Sequence, residues 1–478
     1  MSLKEAKDEP VPKSEIAREA SSHHPHRIET LGWIVLSCLS FLLANSLPTL
    51  APLLFLYVLG LCHLTRIAPA RIAFYCGLLV GFVGFGSQLT FFWRIFGPAA
   101  ILLWLVLACW IGAFTGLGSQ FRHRLGGKAC LLFFPLLWLS LEYFRSELYF
   151  LKFSWLTSGA PFVEAKLWGA SALGSYGTGA VMIFLAAWLC DRGRRALIIG
   201  SLTTMVLLTV LQSPPASMES TETEIRIGGI QLEFPSPAEI PQALSRLTTK
   251  HPNLDLIVLS EYTLQTPPTD KIKQWCRENQ TYLLVGGKDP MEGDRYRNTV
   301  FVINPEGAVV FSQAKSAPIQ FFDDGEPAAR QRVWESPWGK IGLCICYDLS
   351  FSRVTDELVR QGAQLLIVPT MDVVEWGQSE HLLHARIAPM RAAEYRLPIF
   401  RLASSGISQS VASSGKVLAE APFPGQGHFL VDRVRLASKG RLPLDRFVAP
   451  FAIAVTALCF LFSLYPTALS MDRTKPRQ

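Results

Sequence analysis

Three chemically reactive side chains of different types follow short apolar runs in the second half of the chain. Glu261 follows "LDLIVLS", Lys315 follows "VVFSQA", and Cys346 follows "KIGLCI". In an α/β sheet, side chains from distant positions converge on one crevice at the ends of strands. A carboxylate, an ammonium and a thiol gathered there would supply a base, an electrostatic stabiliser and a nucleophile. Singly, each residue also fits a structural role, as a helix cap, a solvated cation or a core thiol.

The elements that would position these residues are short strands that alternate with helices. From residue 224 onward, apolar runs are punctuated by turns and separated by amphipathic stretches at about 236–249, 269–278, 351–361 and 380–395. This alternation predicts an α/β domain. The segments "NPEG" and "SSGK" are typical of hairpin turns, so part of the sheet is expected to be antiparallel.

The rest of the chain is much more apolar than this domain. Half of the 478 residues are hydrophobic and 17% are charged. A helix needs about 20 apolar residues to cross a bilayer. The sequence predicts eight such spans, at about 31–46, 49–65, 71–92, 99–119, 129–148, 167–190, 195–212 and 446–467. The predicted organisation is a tail (1–29), a seven-helix membrane domain (30–212), a globular domain (213–445), a last span (446–467) and a second tail (468–478).

Basic residues in the short loops predict the orientation of the chain. Lys and Arg are concentrated in both tails and in every second loop, which places both termini in the cytoplasm and the globular domain on the far side of the membrane. These flanks account for most of the net charge of +7, so we predict no nucleic-acid partner. Most of the ten cysteines lie in the spans, and their spacing indicates neither a disulfide framework nor a metal site. We predict no cofactor.

The segment "CICYDLSF" resembles the nucleophile segment of the nitrilase superfamily, whose members carry Glu, Lys and Cys in that chain order on an αββα sandwich. The spacings, 315 − 261 = 54 and 346 − 315 = 31, suit this family. A nitrilase-like domain placed between seven helices and one resembles the apolipoprotein N-acyltransferase family. Three further segments resemble that family: "EYFRSELYFLKFSWLTSG" (142–159), "HARIAPMRAAEYRLPIFRLASSGIS" (384–408) and "GGIQLEFP", which contains Gln231.

The resemblance implies an enzyme of the bacterial inner membrane with a periplasmic catalytic domain. Its partners would be a phospholipid acyl donor and a diacylated apolipoprotein, whose N-terminal cysteine amine receives the acyl chain through a ping-pong thioester mechanism. We expect a monomer. A membrane-tethered amidase of the nitrilase type is the alternative that keeps the same chemistry, and a transporter or scaffold is a third.

The resemblance also implies roles for individual residues. Cys346 would be the nucleophile, Glu261 the base, and Lys315 the oxyanion stabiliser together with the backbone N–H of Tyr347. We expect Asp348 to order the turn or orient Lys315, and Asp323 or Glu326 to be the supporting acid. Cys344 is expected to pack in the core. The predicted substrate-binding residues are Gln231, Phe321, Phe322, Trp376, Trp155 and Arg145.

Overall fold

A computed structural model describes residues 13–167, 169–210 and 220–464 of the chain. The predicted C-terminal tail (468–478) and the start of the predicted globular domain (213–219) lie outside the described residues. The first helix, α1, spans Lys13–Ser46 and therefore begins inside the stretch predicted as an N-terminal tail.

The first half of the described chain is helical. The helices are α1, α2 (Leu54–Leu64), α3 (Ala70–Gln88), α4 (Phe91–Phe96), α5 (Ala100–Leu125), α6 (Gly127–Tyr143), α7 (Ala160–Glu164), α8 (Ala170–Cys190) and α9 (Arg194–Val210). Five segments of the described residues are long and apolar enough to span a bilayer: Arg27–Ser46, Ala70–Gln88, Phe91–Leu125, Gly127–Leu148 and Ala170–Cys190. Pro48–Leu64 is shorter. The predicted helical membrane region is confirmed in this coarser form, and the count of eight spans stays a prediction.

Small residues allow the helices of this region to approach one another closely. A Cβ atom on Gly81 of α3 would lie 2.8 Å from the Cα atom of Ala108 in α5. Such contacts bring backbones together where lipid offers no hydrophobic driving force between helices. Aromatic side chains fill the remaining space, with the rings of Phe114 and Trp138 4.9 Å apart.

Two six-stranded sheets form the second half of the chain. The first has the order β12-β1-β2-β3-β4-β5, and the second has the order β11-β10-β9-β8-β7-β6. Their strands are β1 (Ser220–Ile230), β2 (Leu256–Leu259), β3 (Tyr282–Pro290), β4 (Tyr296–Ile303), β5 (Val309–Ala314), β6 (Val333–Ser336), β7 (Gly339–Leu343), β8 (Leu365–Thr370), β9 (Ile399–Ala403), β10 (Ser408–Val411), β11 (Val417–Ala421) and β12 (Phe429–Ala437). In both sheets the three central strands are parallel and the flanking pairs are antiparallel.

Alternating side chains of β2 show how the layers stack. Leu256 and Val258 pack into the core between the sheets, whereas Ile257 and Leu259 face a second core on the opposite side. This period of two is the pattern of a strand that is buried on both faces. Helices cover the outer faces: α10 (Glu239–Lys250), α11 (Asp270–Asn279), α12 (Ser352–Arg360), α13 (Gln378–Ala385) and α14 (Ile387–Tyr395). The predicted αββα sandwich is confirmed.

A buried ionic network joins the sandwich to the helical region. Arg446 lies at the start of the last helix, α15 (Asp445–Leu464), and its guanidinium is 3.1 Å from Glu394 of α14 and 3.3 Å from Asp356 of α12. Glu394 also accepts a hydrogen bond of 2.6 Å from the backbone N–H of Ser175 in α8. Breaking one member of such a set leaves an unpaired buried charge, so the network fixes the two parts relative to each other.

Candidate active site

The Glu261 carboxylate lies just beyond the C-terminal end of β2 and is 1% exposed. Its position requires a close approach of the neighbouring strand, because a Cβ atom on Gly286 of β3 would lie 2.7 Å from the Cα atom of Glu261. The next residue, Tyr262, has a φ of 54°, which turns the chain sharply away from the strand. The carboxylate is therefore held inside the sandwich at the strand end, as the sequence predicts.

Lys315 directly follows β5 and lies between two carboxylates. Its Nζ atom is 2.9 Å from Oε1 of Glu261 and 2.7 Å from Oδ2 of Asp324. Asn298 of β4 donates hydrogen bonds to the same two carboxylates, at 2.5 Å to Glu261 and 2.9 Å to Asp324. The predicted contact between Glu261 and Lys315 is thus present, in a fully buried cluster.

The charges of this cluster set one another's protonation. Burial raises the pKa of Glu261, and the ammonium of Lys315 opposes that rise. Burial alone would lower the pKa of Lys315, but Asp324 and Glu261 outweigh it and hold this pKa well above its ordinary value. The pKa of Asp324 is lowered, because the attraction of Lys315 overcomes the cost of burial. Lys315 is therefore cationic, and Glu261 is the carboxyl of this cluster whose pKa is raised, which suits it to accept a proton.

Cys346 occupies a strained turn three residues beyond the end of β7, at the first position of a short 3₁₀ helix, Cys346–Ser350. Its φ of 51° lies in the left-handed region that non-glycine residues rarely adopt, and such strain is typical of functional turns. The thiol donates to the backbone oxygen of Met371 at 3.7 Å. The N–H of Met371 in turn donates to Oε2 of Glu261 at 2.7 Å, so one residue connects the sulfur to the carboxylate.

The resting thiol of Cys346 is neutral. Burial raises its pKa well above the ordinary value, Glu261 adds to the rise, and Lys315 opposes it. A thiol in this state needs a base before it can attack. Cys344, two residues earlier, is fully buried in the core, as predicted.

Asp348 clamps the nucleophile turn to the segment that follows Lys315. Its carboxylate accepts hydrogen bonds from the backbone N–H groups of Ile345 at 3.1 Å, Ser316 at 3.0 Å and Ala317 at 2.7 Å. Burial raises the pKa of Asp348 to about 6, although Lys315 and these backbone donors oppose the rise. Both expected roles, ordering the turn and fixing the chain next to Lys315, are compatible with these contacts.

The supporting acid differs from the one predicted. Asp324 contacts Lys315, whereas the predicted Asp323 is exposed and uses its backbone oxygen to accept a hydrogen bond from Tyr296 at 2.8 Å. The predicted Glu326 is half-buried, and its N–H donates to the backbone oxygen of Tyr296 at 2.8 Å. Phe321 in the same loop has a φ of 70°, so the chain reverses its direction there. After this reversal Asp324, and not its neighbour Asp323, faces Lys315.

An apolar cavity of about 110 Å³ opens beside Cys346 and Tyr347. One wall comes from α4, α5 and the segment 151–155, and the other comes from the loops at 319–322 and 376. Phe96 of α4 lies 6.0 Å, between ring centroids, from both Phe321 and Phe322. Helical region and sandwich therefore build the cavity together, around the predicted nucleophile.

The residues predicted to bind substrate divide into two groups. Phe321, Phe322, Trp376 and Trp155 line the cavity. Gln231 and Arg145 lie outside the lining of this cavity, and their role in substrate binding stays a prediction. Gln231 is fully buried and donates a hydrogen bond to the backbone oxygen of Gly406. Arg145 lies in a separate small cavity with Glu142 and stacks over the ring of Phe85.

A second titratable group near the sulfur was not predicted from the sequence. A ring nitrogen of His384, a carboxylate oxygen of Asp372 and Sγ of Cys346 all lie within 4.8 Å of one another. Nδ1 of His384 is 2.8 Å from Asp372, and the imidazole stacks on Trp155 at 5.1 Å between centroids. His384 lies in "HARIAPMRAAEY", but no sequence signal ties that helix to the loop that carries Asp372.

This second cluster also contains residue types that bind metal ions. Cys346, Asp372 and His384 form one such group, and Asp372, Glu380 and His381 form another. The guanidinium of Arg401 lies 2.6 Å from the carboxylate of Asp372. This positive charge disfavours the binding of a metal cation to the same carboxylate. We therefore interpret the cluster as an ion-pair network.

Comparisons with known proteins agree with this architecture. Residues 25–188 match the model described as apolipoprotein N-acyltransferase N-terminal domain, and residues 232–434 match the carbon-nitrogen hydrolase model. An apolipoprotein N-acyltransferase of Geobacter metallireducens is 25% identical over 88% of this chain and 92% of its own length. One of Haemophilus influenzae is 23% identical over 78% of this chain and 82% of its own.

Among solved structures, Saccharomyces cerevisiae Nit3, a member of the nitrilase superfamily, gives a TM-score of 0.38 at 19% identity, covering 53% of this chain and 97% of that one. The two family models together account for both the helical region and the sandwich, in the order in which the chain carries them. The full-length relatives extend across the same two parts. Over both of its parts the chain is therefore similar to the apolipoprotein N-acyltransferases, and its second half matches the carbon-nitrogen hydrolase family.

Proposed function

We propose that this protein transfers an acyl chain from a membrane phospholipid to the α-amine of the N-terminal diacylglyceryl-cysteine of a lipoprotein, in two steps through a thioester on Cys346. The carrying observation is that Cys346 lies between a buried charged cluster and an apolar cavity with a wall of helices from the membrane region. The cluster supplies acyl-transfer chemistry, and the cavity suits a hydrocarbon chain.

In the first step, Glu261 takes the thiol proton and the sulfur attacks the ester carbonyl. Lys315 and the backbone N–H of Tyr347 stabilise the oxyanion that forms, because fixed donors in a water-poor site cost no reorganisation. The carbon–oxygen bond of the ester then breaks. Glu261 returns the proton to the departing alkoxide, which leaves as lysophospholipid, and the thioester remains.

In the second step, the neutral amine of the acceptor attacks the thioester carbonyl at the same oxyanion site. Glu261 takes a proton from the attacking nitrogen and passes it to the sulfur as the carbon–sulfur bond breaks. The products are an N-acylated lipoprotein and free Cys346. Apolar residues such as Phe96, Phe321 and Trp376 keep water from the thioester, which favours transfer over hydrolysis.

The exposed aromatic side chains at the cavity mouth support a site at the membrane surface. Phe321 is 67% exposed and Phe322 is 40% exposed, and both contact α4 of the helical region. Aromatic side chains in such a place let acyl chains pass from lipid into the site. We place the protein in the bacterial inner membrane as a monomer, with the sandwich on the periplasmic side, as the basic loops indicate.

The direct test supplies the purified full chain with phospholipid labelled in its sn-1 acyl chain and a synthetic lipopeptide that begins with diacylglyceryl-cysteine. We expect label to appear on the peptide amine, and mass spectrometry to find an acyl adduct on Cys346 when the peptide is omitted. Release of labelled fatty acid without N-acylated peptide would refute the transferase and favour the amidase-type hydrolase. An adduct on a different cysteine would refute the assigned nucleophile.

A further inference from the structure

A proton balance shows that Glu261 accounts for only one of the two protons released in the second step. The α-amine of an amino-terminal residue has an ordinary pKa of about 7.7–8.0, so the acceptor arrives largely as an ammonium. Its conversion to an amide releases two protons, one before and one during attack. Glu261 accounts for the second, which it delivers to sulfur. The first can pass to solvent before binding, but only a base beside the thioester lets the ammonium form, which predominates at pH 7, react as well.

His384 is the described residue that meets this need by position. Its imidazole lines the same cavity as Cys346, and it has a ring nitrogen within 4.8 Å of the sulfur. Nδ1 is held by Asp372 at 2.8 Å, whereas Nε2 has no hydrogen-bond partner among the described residues. A histidine fixed at one nitrogen by a carboxylate keeps the other nitrogen available to exchange a proton.

Glu261 and His384 both form hydrogen bonds with the same turn after β8. The N–H of Met371 binds Glu261 at 2.7 Å, and the carboxylate of the next residue, Asp372, binds His384. The thiol donates to the backbone oxygen of Met371. The turn therefore places Glu261 and His384 about a single sulfur.

We propose that His384, oriented by Asp372, is a second catalytic base, which takes the first proton from the incoming ammonium of the acceptor. This proposal rests on the proposed function. The neutral amine then attacks the thioester, Glu261 transfers the second proton to sulfur, and His384 later releases its proton to water. For each turnover the acceptor loses two protons, of which the thiol receives one and solvent the other.

The surroundings of His384 suit an exchange with an amine. Burial lowers its pKa, but the attraction of Asp372 outweighs burial and the repulsion from Arg401, and the net shift is upward, toward that of the acceptor amine. The charged or titratable groups around the ring come from three elements and the nucleophile turn: Asp372, Glu380, His381, Arg401 and Cys346.

The test separates the two half-reactions of His384→Gln in the full chain. Thioester formation from labelled phospholipid is measured by mass spectrometry without acceptor, and transfer is measured after adding the diacylglyceryl-cysteine lipopeptide. We expect thioester formation within about threefold of wild type and transfer slowed roughly tenfold at pH 7, because only about a tenth of an amine with a pKa near 8 is neutral at that pH. Transfer should recover at pH 9.5, where the amine is already neutral.

His381→Gln is the matched control. His381 is also buried and also near Asp372, with Nδ1 4.0 Å from its carboxylate, but it stacks on Phe423 and lies outside the cavity. We expect it to keep the wild-type ratio of the two half-reactions. Thioester formation itself reports whether each variant is folded.

Two results would overturn the inference while the proposed function stands. One is a His384→Gln protein in which both half-reactions fall together without recovery at high pH, as a structural role would predict. The other is a variant that transfers at the wild-type rate at pH 7. Wild-type protein that forms the thioester but never acylates the lipopeptide would overturn the proposed function, and this inference with it.

Discussion

The two sides of the Cys346 sulfur differ in chemistry and in origin. On the charged side, Glu261, Lys315 and Asp324 come from strand ends and a loop of the sandwich, and each is at most 6% exposed. On the apolar side, aromatic residues come from helices of the membrane region as well as from loops of the sandwich, and Phe321 stays largely exposed. In the proposed mechanism, the sandwich alone therefore supplies the groups that make and break bonds, whereas the cavity for the acyl chain requires both parts.

The largest effect is expected from removing the sulfur of Cys346, which borders both the charged cluster and the apolar cavity. Cys346→Ala should abolish the acyl adduct and acyl transfer, because no other nucleophile can form the thioester. Cys344→Ala is the matched control, since this thiol lies two residues away and is buried in the core. Mass spectrometry of each variant incubated with labelled phospholipid checks the prediction. A full adduct on Cys346→Ala protein would contradict the assignment of the sulfur.

The next largest effect is expected at Asp324, the supporting acid, which lies one position after the predicted Asp323. Asp324→Asn removes a carboxylate 2.7 Å from Lys315, so the ammonium loses one of its two anchors. We expect thioester formation to fall roughly 10²–10³-fold, the scale of a lost oxyanion donor. Asp323→Asn, its exposed neighbour, should remain near the wild-type rate. Equal losses in the two variants would refute the assigned supporting acid.

The contrast between these two aspartates shows what could be predicted from the sequence. Strand ends are encoded locally by apolar runs, so Glu261, Lys315 and Cys346 could be placed at the strand ends of an α/β domain, whereas their roles and the sandwich rested on the resemblance to the nitrilase superfamily. The path of a loop depends on individual φ angles, such as that of Phe321, and neighbouring acids in it are indistinguishable by type. The pairing of His384 with Asp372 depends on the packing of a helix on a loop, which leaves no local pattern.

Gln231 and Arg145 show where residue type leaves a role open. A polar residue at the end of a strand and a charge within an apolar helix both suggest function. In the structure, Gln231 binds the backbone at Gly406, and Arg145 lies behind the cavity with Glu142. Oε1 of Gln231 and Nη1 of Arg145 have no hydrogen-bond partner among the described residues, and residue type alone does not distinguish a structural role from substrate binding.

The apolar side predicts a smaller loss that depends on the acyl chain. Phe96→Ala removes a ring that contacts both Phe321 and Phe322. Phe96 is half-buried, so its loss should cost less than the about 1.5–3 kcal/mol of a fully buried phenylalanine, or roughly tenfold in kcat/KM for long-chain donors. Short-chain esters should be affected less, and released fatty acid should rise relative to transfer because water gains entry.

Trp93→Ala provides the control for that change. Trp93 lies on the same helix, α4, but is 50% exposed and outside the cavity lining. It should leave the dependence on chain length unchanged. If Phe96→Ala and Trp93→Ala gave the same profile across donors of different chain length, the cavity would not be the acyl-chain site.

The smallest expected effect is on stability, and it tests whether His381 is charged in the folded protein. Burial opposes protonation of His381, but Asp372 and Glu380 outweigh it and raise the pKa of His381 to about 9. A group whose folded-state pKa is raised stabilises the fold fully below its unfolded pKa of about 6.5, and this contribution is lost as pH rises through about 9. The Tm of His381→Gln should therefore lie furthest below that of wild type near pH 6, and the gap should narrow steadily toward pH 9.5. Thermal unfolding of both proteins across this range measures the gap, and a gap that stays constant with pH would mean that folding leaves the pKa of His381 unchanged and that His381 contributes only packing.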